Sequence, residues 1–185
     1  MSLIGTKSFD KIILVDVVKS ITDKLIELVA DIPEDEINVL LEDCSIIKID
    51  KKLSKTVTIA GIGGKLSIRI VENLRLQLAE NDIIILSAHN NLEEVRCYLV
   101  ESGLLLIEER LVTENSKFYE VLVLSNSKGY TVPKVGYFKD SDIIIKKDYF
   151  KKCIKYFDTK AKFLDDETSK SYLELYNQRL EEINL

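Results

Sequence analysis

Short apolar runs alternate along this chain with segments whose apolar residues recur every three or four positions. Residues 12–15 form a compact apolar strand that stops at Asp16, and Val17, Ile21, Leu25, Leu28 and Val29 then fall at helical spacing before Pro33. Residues 37–41 make a second strand of the buried type, ending at Glu42-Asp43-Cys44. The third run, residues 57–59, leads into Ala60-Gly61-Ile62-Gly63-Gly64-Lys65, after which Leu66, Ile70, Leu74 and Leu78 repeat every four residues. Strand, glycine turn and helix in that order are half of a βαβ unit. Residues 83–86 are an all-apolar strand that ends in Ser87-Ala88-His89-Asn90-Asn91. The helix after it carries Leu92, Val95 and Leu99, and Gly103 closes it as a C-cap. Residues 104–112 and 118–124 read as two strands, and the polar loop 113–117 between them is short enough for an antiparallel hairpin. The pattern predicts an α/β fold: a mainly parallel sheet finished by an antiparallel hairpin.

After Ser125 the pattern changes. Asn126-Ser127-Lys128-Gly129 is turn-like, and Pro133 and Gly136 break the next stretch. Tyr149, Phe150, Cys153, Ile154 and Phe157 then form a helical stripe laced with Lys146, Lys147, Lys151, Lys152 and Lys155. Tyr172, Leu173, Tyr176, Leu180 and Ile183 mark a second amphipathic helix with an acidic outer face. The chain is thus expected to divide into a sheet domain, 1–127, and a lysine-rich helical appendage, 128–185, whose two helices either form a coiled-coil arm or fold back as ordinary covering helices.

Composition adds exclusions. No run approaches 18 uninterrupted apolar residues, so no membrane-spanning helix is expected. Nor do the first residues have the basic, apolar and small-residue order of a secretory signal. Cys44, Cys97 and Cys153 are odd in number and widely spaced, which gives neither a disulfide framework nor a zinc pattern and fits a reducing cytoplasm. His89 is the only histidine, so a His-based triad or metal site would have to centre on it; otherwise it is a polar loop residue, and no metal is expected. The net charge of −5 is unevenly placed: residues 1–45 carry ten acids against four bases, whereas residues 128–162 carry ten lysines against four acids. That asymmetry points to an anionic partner for the later part of the chain, or to lysines that merely solvate its surface.

In open α/β sheets ligands bind at the carboxyl ends of the strands. Glycines there let a ligand approach the backbone closely, or else simply permit a tight turn. The phosphate-binding P-loop would need glycine in place of Ile59 and Ser or Thr in place of Leu66, and the dinucleotide fingerprint would need glycine in place of Leu66. Neither motif is met. Lys65 lies where it meets an anion or stays solvated on the first helical turn. Asp16, at a strand end, either accepts hydrogen bonds from ribose hydroxyls or caps the following helix.

Taken in order, residues 12–15 with Asp16, then Glu42-Asp43, then Thr58-Ile59-Ala60-Gly61-Ile62-Gly63-Gly64, then Phe118-Tyr119-Glu120-Val121-Leu122-Val123 resemble the bacterial tRNA (adenine-22-N1)-methyltransferases. In that family the loop after the fourth strand reads much like residues 59–64, the last strand carries a Tyr-Glu-Val-Leu-Val segment, and a Gly-Pro-Phe stands where Gly136-Tyr137-Phe138 does here. The resemblance runs from about Ile12 to the C-terminus. It implies a Rossmann-like sheet, S-adenosylmethionine as cofactor, methylation of an adenine in tRNA, and a helical arm that helps to hold the RNA. It also implies Asp16 at the cofactor ribose, Asp43 near its adenine, Cys44 and Ala60 as further cofactor contacts, and Ala60, Gly61, Gly63 and Gly64 around the opening where the target base meets the methyl group; Cys44 otherwise packs as a small buried side chain. Lys65, Lys146, Lys147, Lys151, Lys152 and Lys155 are the expected RNA contacts.

Two segments depart from the family. Only Leu3-Ile4-Gly5-Thr6 resembles its cofactor-gripping first loop, with Gly5 as the one candidate there, so the first βα unit is expected to be missing or degenerate. Ser87-Ala88-His89-Asn90 also replaces a Gln-Pro-Asn segment. Two further readings therefore stand beside the enzyme: a binding module for RNA or protein that has lost the cofactor, and a partial domain that completes its sheet by forming a homodimer through an exposed edge.

Overall fold

The computed structural model describes residues 9–50, 54–164 and 166–184. These form two compact units, with the division between Ile49 and Asp50.

In the first unit, strand β1 (Ile12–Asp16), helix α1 (Lys19–Leu28) and strand β2 (Ile37–Leu41) make one βαβ crossover. The strands pair in parallel from Ile12 opposite Ile37 to Asp16 opposite Leu41. The N-cap position of α1 is Val18, whose side chain cannot cap; instead Asp16 Oδ1 accepts from the Val18 amide at 2.7 Å. Asp16 thus holds the turn between strand and helix, close to the capping role that its position at the strand end allows.

The second unit contains β3 (Thr56–Ile62), α2 (Gly64–Arg75), β4 (Ile83–Ala88), α3 (Leu92–Ser102), β5 (Leu105–Glu114), β6 (Lys117–Ser125), β7 (Tyr130–Thr131), α4 (Ile143–Leu164) and α5 (Glu167–Glu182). Its sheet has the order β3-β4-β6-β5-β7. Strands β3 and β4 are parallel, and the pairings β4–β6, β5–β6 and β5–β7 are antiparallel. The expected hairpin is present, and in place of a mainly parallel sheet this unit has a mixed one whose parallel portion is β3–β4. The hairpin does more than trim an edge, because β6 inserts between β4 and β5. Its turn is also tighter than the five-residue loop expected: Asn115 and Ser116 sit at φ 49° and 60°, the left-handed pair that matches the twist of two-residue hairpins. Helix α3 ends on Gly103 at φ 75°, as predicted.

The C-terminal helices dock on this sheet through an aromatic core. Leu111 of β5, Val135 and Phe138 of the connecting segment, Tyr149, Phe150 and Phe157 of α4, and Tyr172 and Tyr176 of α5 are buried together. Asp166 caps α5 by accepting from the Thr168 and Ser169 amides, which satisfies two of the helix's free donors.

At the opposite end of the parallel pair, Asp82 is fully buried ahead of β4. Its carboxylate accepts from the Lys55 amide at 2.9 Å and the Ala79 amide at 2.7 Å, and pairs with Lys55 Nζ at 2.6 Å. Burial acts to raise its pKa, but the Lys55 ammonium and the two amides outweigh it and hold the pKa below the ordinary carboxylate value. The folded state therefore gains stability from this group above the unfolded pKa of about 3.9 and loses it as pH falls through the depressed folded value. Asp82→Asn is expected to cost about 3 kcal/mol in urea unfolding at pH 7, and to flatten the stability profile below about pH 4 relative to the parent chain.

Candidate active site

The glycine turn sits at the carboxyl end of β3, and its three glycines have different tasks. Gly61 has φ 77°, and an added Cβ would meet nothing within 4 Å, so its backbone faces open space. The pairing with β4 slips between Ala60 and Ile62, which lifts Gly61 out of the ladder as a bulge. At Gly63, the N-cap of α2, a Cβ would stand 3.2 Å from Asn90 Oδ1. Gly64 is buried, and a Cβ there would lie 2.5 Å from the Asn90 carbonyl and 3.0 Å from Val95 Cγ2.

The segment after β4 supplies the matching surface. His89 donates its amide to the Ile62 carbonyl at 2.9 Å, and Asn90 Oδ1 accepts from the Gly64 amide at 3.0 Å, so a side chain from the neighbouring strand end serves as the cap α2 lacks. Asn91, in the left-handed region at φ 53°, turns the chain into α3. Leu86 pairs with Leu122, so Tyr119 of β6 reaches past the end of β4, where its ring meets that of His89 edge to face at 5.7 Å. An exposed backbone rim, an amide-capped turn and an aromatic pair thus share one end of the sheet. None of the rim residues is an acid, a base or a nucleophile. The rim suits holding a flat group against backbone.

The expected site residues divide accordingly. Ala60 and Gly61 are exposed, Gly63 is half-buried, and Gly64 is corrected from a lining residue to a packing one, because Asn90 and Val95 occupy the space beside it. Lys65 is exposed on the first turn of α2. Asp16, Asp43 and Cys44 belong to the first unit, where Asp43 Oδ1 accepts from the Ser45 amide at 2.8 Å. The Cys44 thiol is half-buried, and burial, then the charges of Asp43, Asp16 and Glu42, raise its pKa, so it stays a neutral packing group. Gly5 lies outside the described residues. On α4, Lys151, Lys152 and Lys155 are exposed and Lys147 is half-buried; Lys146 is corrected, because it is only 9% exposed and lies among the packed residues of the helix.

Sequence reasoning missed the group that supports this end of the sheet. Arg96 of α3 is buried, with Nε 2.8 Å from Glu120 Oε2, Nη2 2.8 Å from Glu109 Oε2, and Nη1 donating to the Pro133 carbonyl at 3.0 Å. Tyr149 Oη donates to the other Glu120 oxygen at 2.5 Å, and the Tyr137 and Phe138 amides donate to the other Glu109 oxygen. Burial acts to lower the Arg96 pKa, but Glu120 and Glu109 outweigh it and hold it above the ordinary guanidinium value. One signal was available: Glu120 is the single acid in the apolar run 118–124 and so needs a buried partner, whereas Glu109 stands between Glu108 and Arg110 and gives none.

The family model described as a methyltransferase domain matches residues 1–122. The chain belongs to this methyltransferase-domain family. No curated protein matches it. Among solved structures, this methyltransferase-domain chain is similar to a Streptococcus pneumoniae protein in complex with S-adenosyl-L-methionine, at 22% identity and TM-score 0.71 over 92% of this chain and 81% of that one. It is also similar to the B. subtilis M1A22 tRNA methyltransferase TrmK, at 20% identity and TM-score 0.60 over 93% and 80% of the two chains. A third likeness is to M. capricolum TrmK in complex with S-adenosyl-homocysteine, at 14% identity and TM-score 0.64 over 95% and 81%. The Rossmann-like fold class read from the sequence is borne out.

The different tasks of the glycines in this methyltransferase-domain chain are measurable. Gly64→Ala, which forces a methyl group onto the Asn90 carbonyl, is expected to destabilise the chain by about 3 kcal/mol in thermal or urea unfolding. Gly61→Ala, with open space but a left-handed backbone, is expected to cost only about 1 kcal/mol in the same measurement.

Proposed function

We propose that this chain is an S-adenosylmethionine-dependent methyltransferase that modifies N1 of an adenine in tRNA, acting in the cytoplasm. The open backbone rim at Ala60 and Gly61, in a member of the methyltransferase-domain family, carries the reading. The fold likeness to TrmK supports the choice of substrate.

When bound, S-adenosylmethionine supplies an electrophilic sulfonium methyl group. Adenine N1 already carries a lone pair, so the Ala60–Gly61 rim, which offers neither acid nor base, can serve this reaction. What the chain must supply is in-line placement and exclusion of water, and positioning alone is worth roughly 7–11 kcal/mol in good cases. The Ala60–Gly61 backbone leaves room for the target base. His89 and Tyr119 offer ring faces at the same strand end, which favour a base over water. Because a stacked adenine must first be extruded, at a cost of a few kcal/mol, contacts elsewhere on the RNA have to offset that cost. Lys147, Lys151, Lys152 and Lys155, with Lys65, are the proposed phosphate contacts.

The residues of the first unit fit the nucleoside part of the cofactor. Asp16 uses Oδ1 for its own turn, and its other oxygen takes no hydrogen bond among the described residues, so it retains an acceptor for a ribose hydroxyl. Asp43 and the neutral Cys44 are proposed on the adenine side, where an uncharged thiol suits a purine face.

Calorimetry with S-adenosylhomocysteine tests the cofactor, and mass analysis of nucleosides from unmodified tRNA tests the product. Binding below millimolar ligand and formation of 1-methyladenosine are expected, with Gly61→Ala retaining the binding heat but losing at least roughly tenfold in methyl transfer. Affinity for tRNA should fall steeply with added salt, as counterions are displaced by lysines. An absence of heat at millimolar ligand would defeat the enzyme reading.

A further inference from the structure

One face of α4 carries an aromatic ring set among lysines, outside the catalytic end of the sheet. Lys152, Lys155, Tyr156, Thr159 and Lys160 line an open groove of about 360 Å3. Their spacings of three, four, seven and eight residues place them on one stripe of the helix. Tyr156 is 56% exposed, a large fraction for a tyrosine. Its ring is nonetheless held: it meets the buried Phe157 edge to face at 5.0 Å and 81°. Phe157 in turn stacks on Tyr172 at 5.3 Å and on Tyr176 at 5.6 Å, both from α5. The exposed ring therefore stands on a fixed base, and fixing it in advance lowers the entropy lost when something stacks on it.

The chemistry around the ring is one-sided. Lys160 Nζ lies 5.9 Å over the Tyr156 ring, and Lys155 and Lys152, the latter with Nζ 5.3 Å over the Phe118 ring, line the same groove. The Thr159 hydroxyl donates to the Lys155 carbonyl at 2.8 Å, which keeps its lone pairs as the outward-facing polar feature. Among the described residues no carboxylate lines the groove; Lys160 also interacts electrostatically with Glu93 and Asp166, and Asp158, next along the helix, is paired with Lys162 at 2.7 Å. A flat aromatic surface ringed by ammonium groups matches a ligand that is flat and apolar in one part and anionic in another. An unpaired nucleotide has that form; a duplex does not, because its base faces are already stacked.

We infer that this groove binds an unpaired nucleotide of the RNA substrate, with the base stacked on Tyr156 and the adjoining phosphates at Lys152, Lys155 and Lys160. The inference rests on the RNA-substrate reading above, and its readout is binding, not methyl transfer. The chain contains no tryptophan, so Tyr156→Trp in the full chain installs a single indole reporter. Its fluorescence is expected to be quenched by a single-stranded oligoribonucleotide of about ten residues and left unchanged by the same strand in a full duplex. Tyr156→Ala is expected to weaken the oligonucleotide about tenfold at unchanged salt slope, and Tyr156→Phe to stay within about twofold of the parent. Lys152→Ala and Lys155→Ala should each reduce the salt slope by about 0.7. S-adenosylhomocysteine heat unchanged in Tyr156→Ala would show that the variant is folded. Parent-like RNA affinity in Tyr156→Ala, or equal quenching by poly-glutamate, would overturn the groove while leaving the cofactor reading intact. Absent cofactor heat in the parent chain would defeat the methyltransferase reading and leave the quenching result to decide the groove.

Discussion

A guanidinium removed from water must be matched by carboxylates, and each carboxylate so used must then satisfy its second oxygen. At Arg96 this requirement runs through most of the second unit. Glu120 of β6 and Glu109 of β5 meet the guanidinium, and the surplus negative charge is met by donors: the Tyr149 hydroxyl and the Tyr137 and Phe138 amides. All four carboxylate oxygens are thereby engaged. One cluster joins α3, the two hairpin strands, the segment before α4, and α4 itself. Such a network adds little net stability over apolar packing, since desolvation cancels much of the Coulomb gain, but removing one member would strand a buried charge. We read its value as specificity: it admits one placement of these elements. Gly136 shows how close that placement is, because a Cβ there would fall 2.7 Å from Arg96 Nη2 and 2.8 Å from Glu109 Oε2.

The same cluster reaches the glycine turn through α3. Arg96 lies little more than one helical turn from Asn91, where α3 begins, so fixing the guanidinium fixes the start of the helix. Asn90 precedes that start, and it both caps α2 at the Gly64 amide and fills the space beside Gly63. Gly61 is left as the member of the turn whose backbone faces open space. The shape and rigidity of this turn therefore rest on Asn90 and on the buried Arg96 cluster.

Local periodicity made the elements legible. Four-residue spacing from Leu66 and the apolar runs at 12–15, 37–41 and 83–86 survive as elements because each forms from residues close in the chain. The features that stayed hidden depend on contacts distant in sequence. The insertion of β6 between β4 and β5 is a choice among pairings that the strand sequences do not distinguish. Arg96 and Glu109 look like surface charges until three elements converge on them. By charge Lys146 resembles its neighbours, although its helical phase turns it toward the packed side. The glycine turn was legible as a site of close approach, but the division between Gly61 and Gly64 was not, since it depends on where Asn90 and Val95 come to lie.

The amphipathic pattern suggested a helical arm appended after the sheet, and the packing describes a closer union. Tyrosines supply much of the contact, each with an apolar ring and a hydroxyl that needs a partner. Tyr149 finds Glu120, and Tyr172 lies 3.2 Å from Cys97 Sγ of α3. Burial first, and then nearby charges, raise the pKa of Tyr149 and Tyr176 well above the phenol value, so these hydroxyls remain neutral donors. Arg179 of α5 stacks over the Tyr137 ring at 3.6 Å and so closes the segment between sheet and helices from the far side. A helix anchored at so many points cannot swing as an independent lever. The exposed lysines of α4 therefore stand at a set distance from the carboxyl ends of β3 and β4. For an RNA substrate, that fixed span would select which nucleotide reaches the Ala60–Gly61 rim once the rest of the molecule is held.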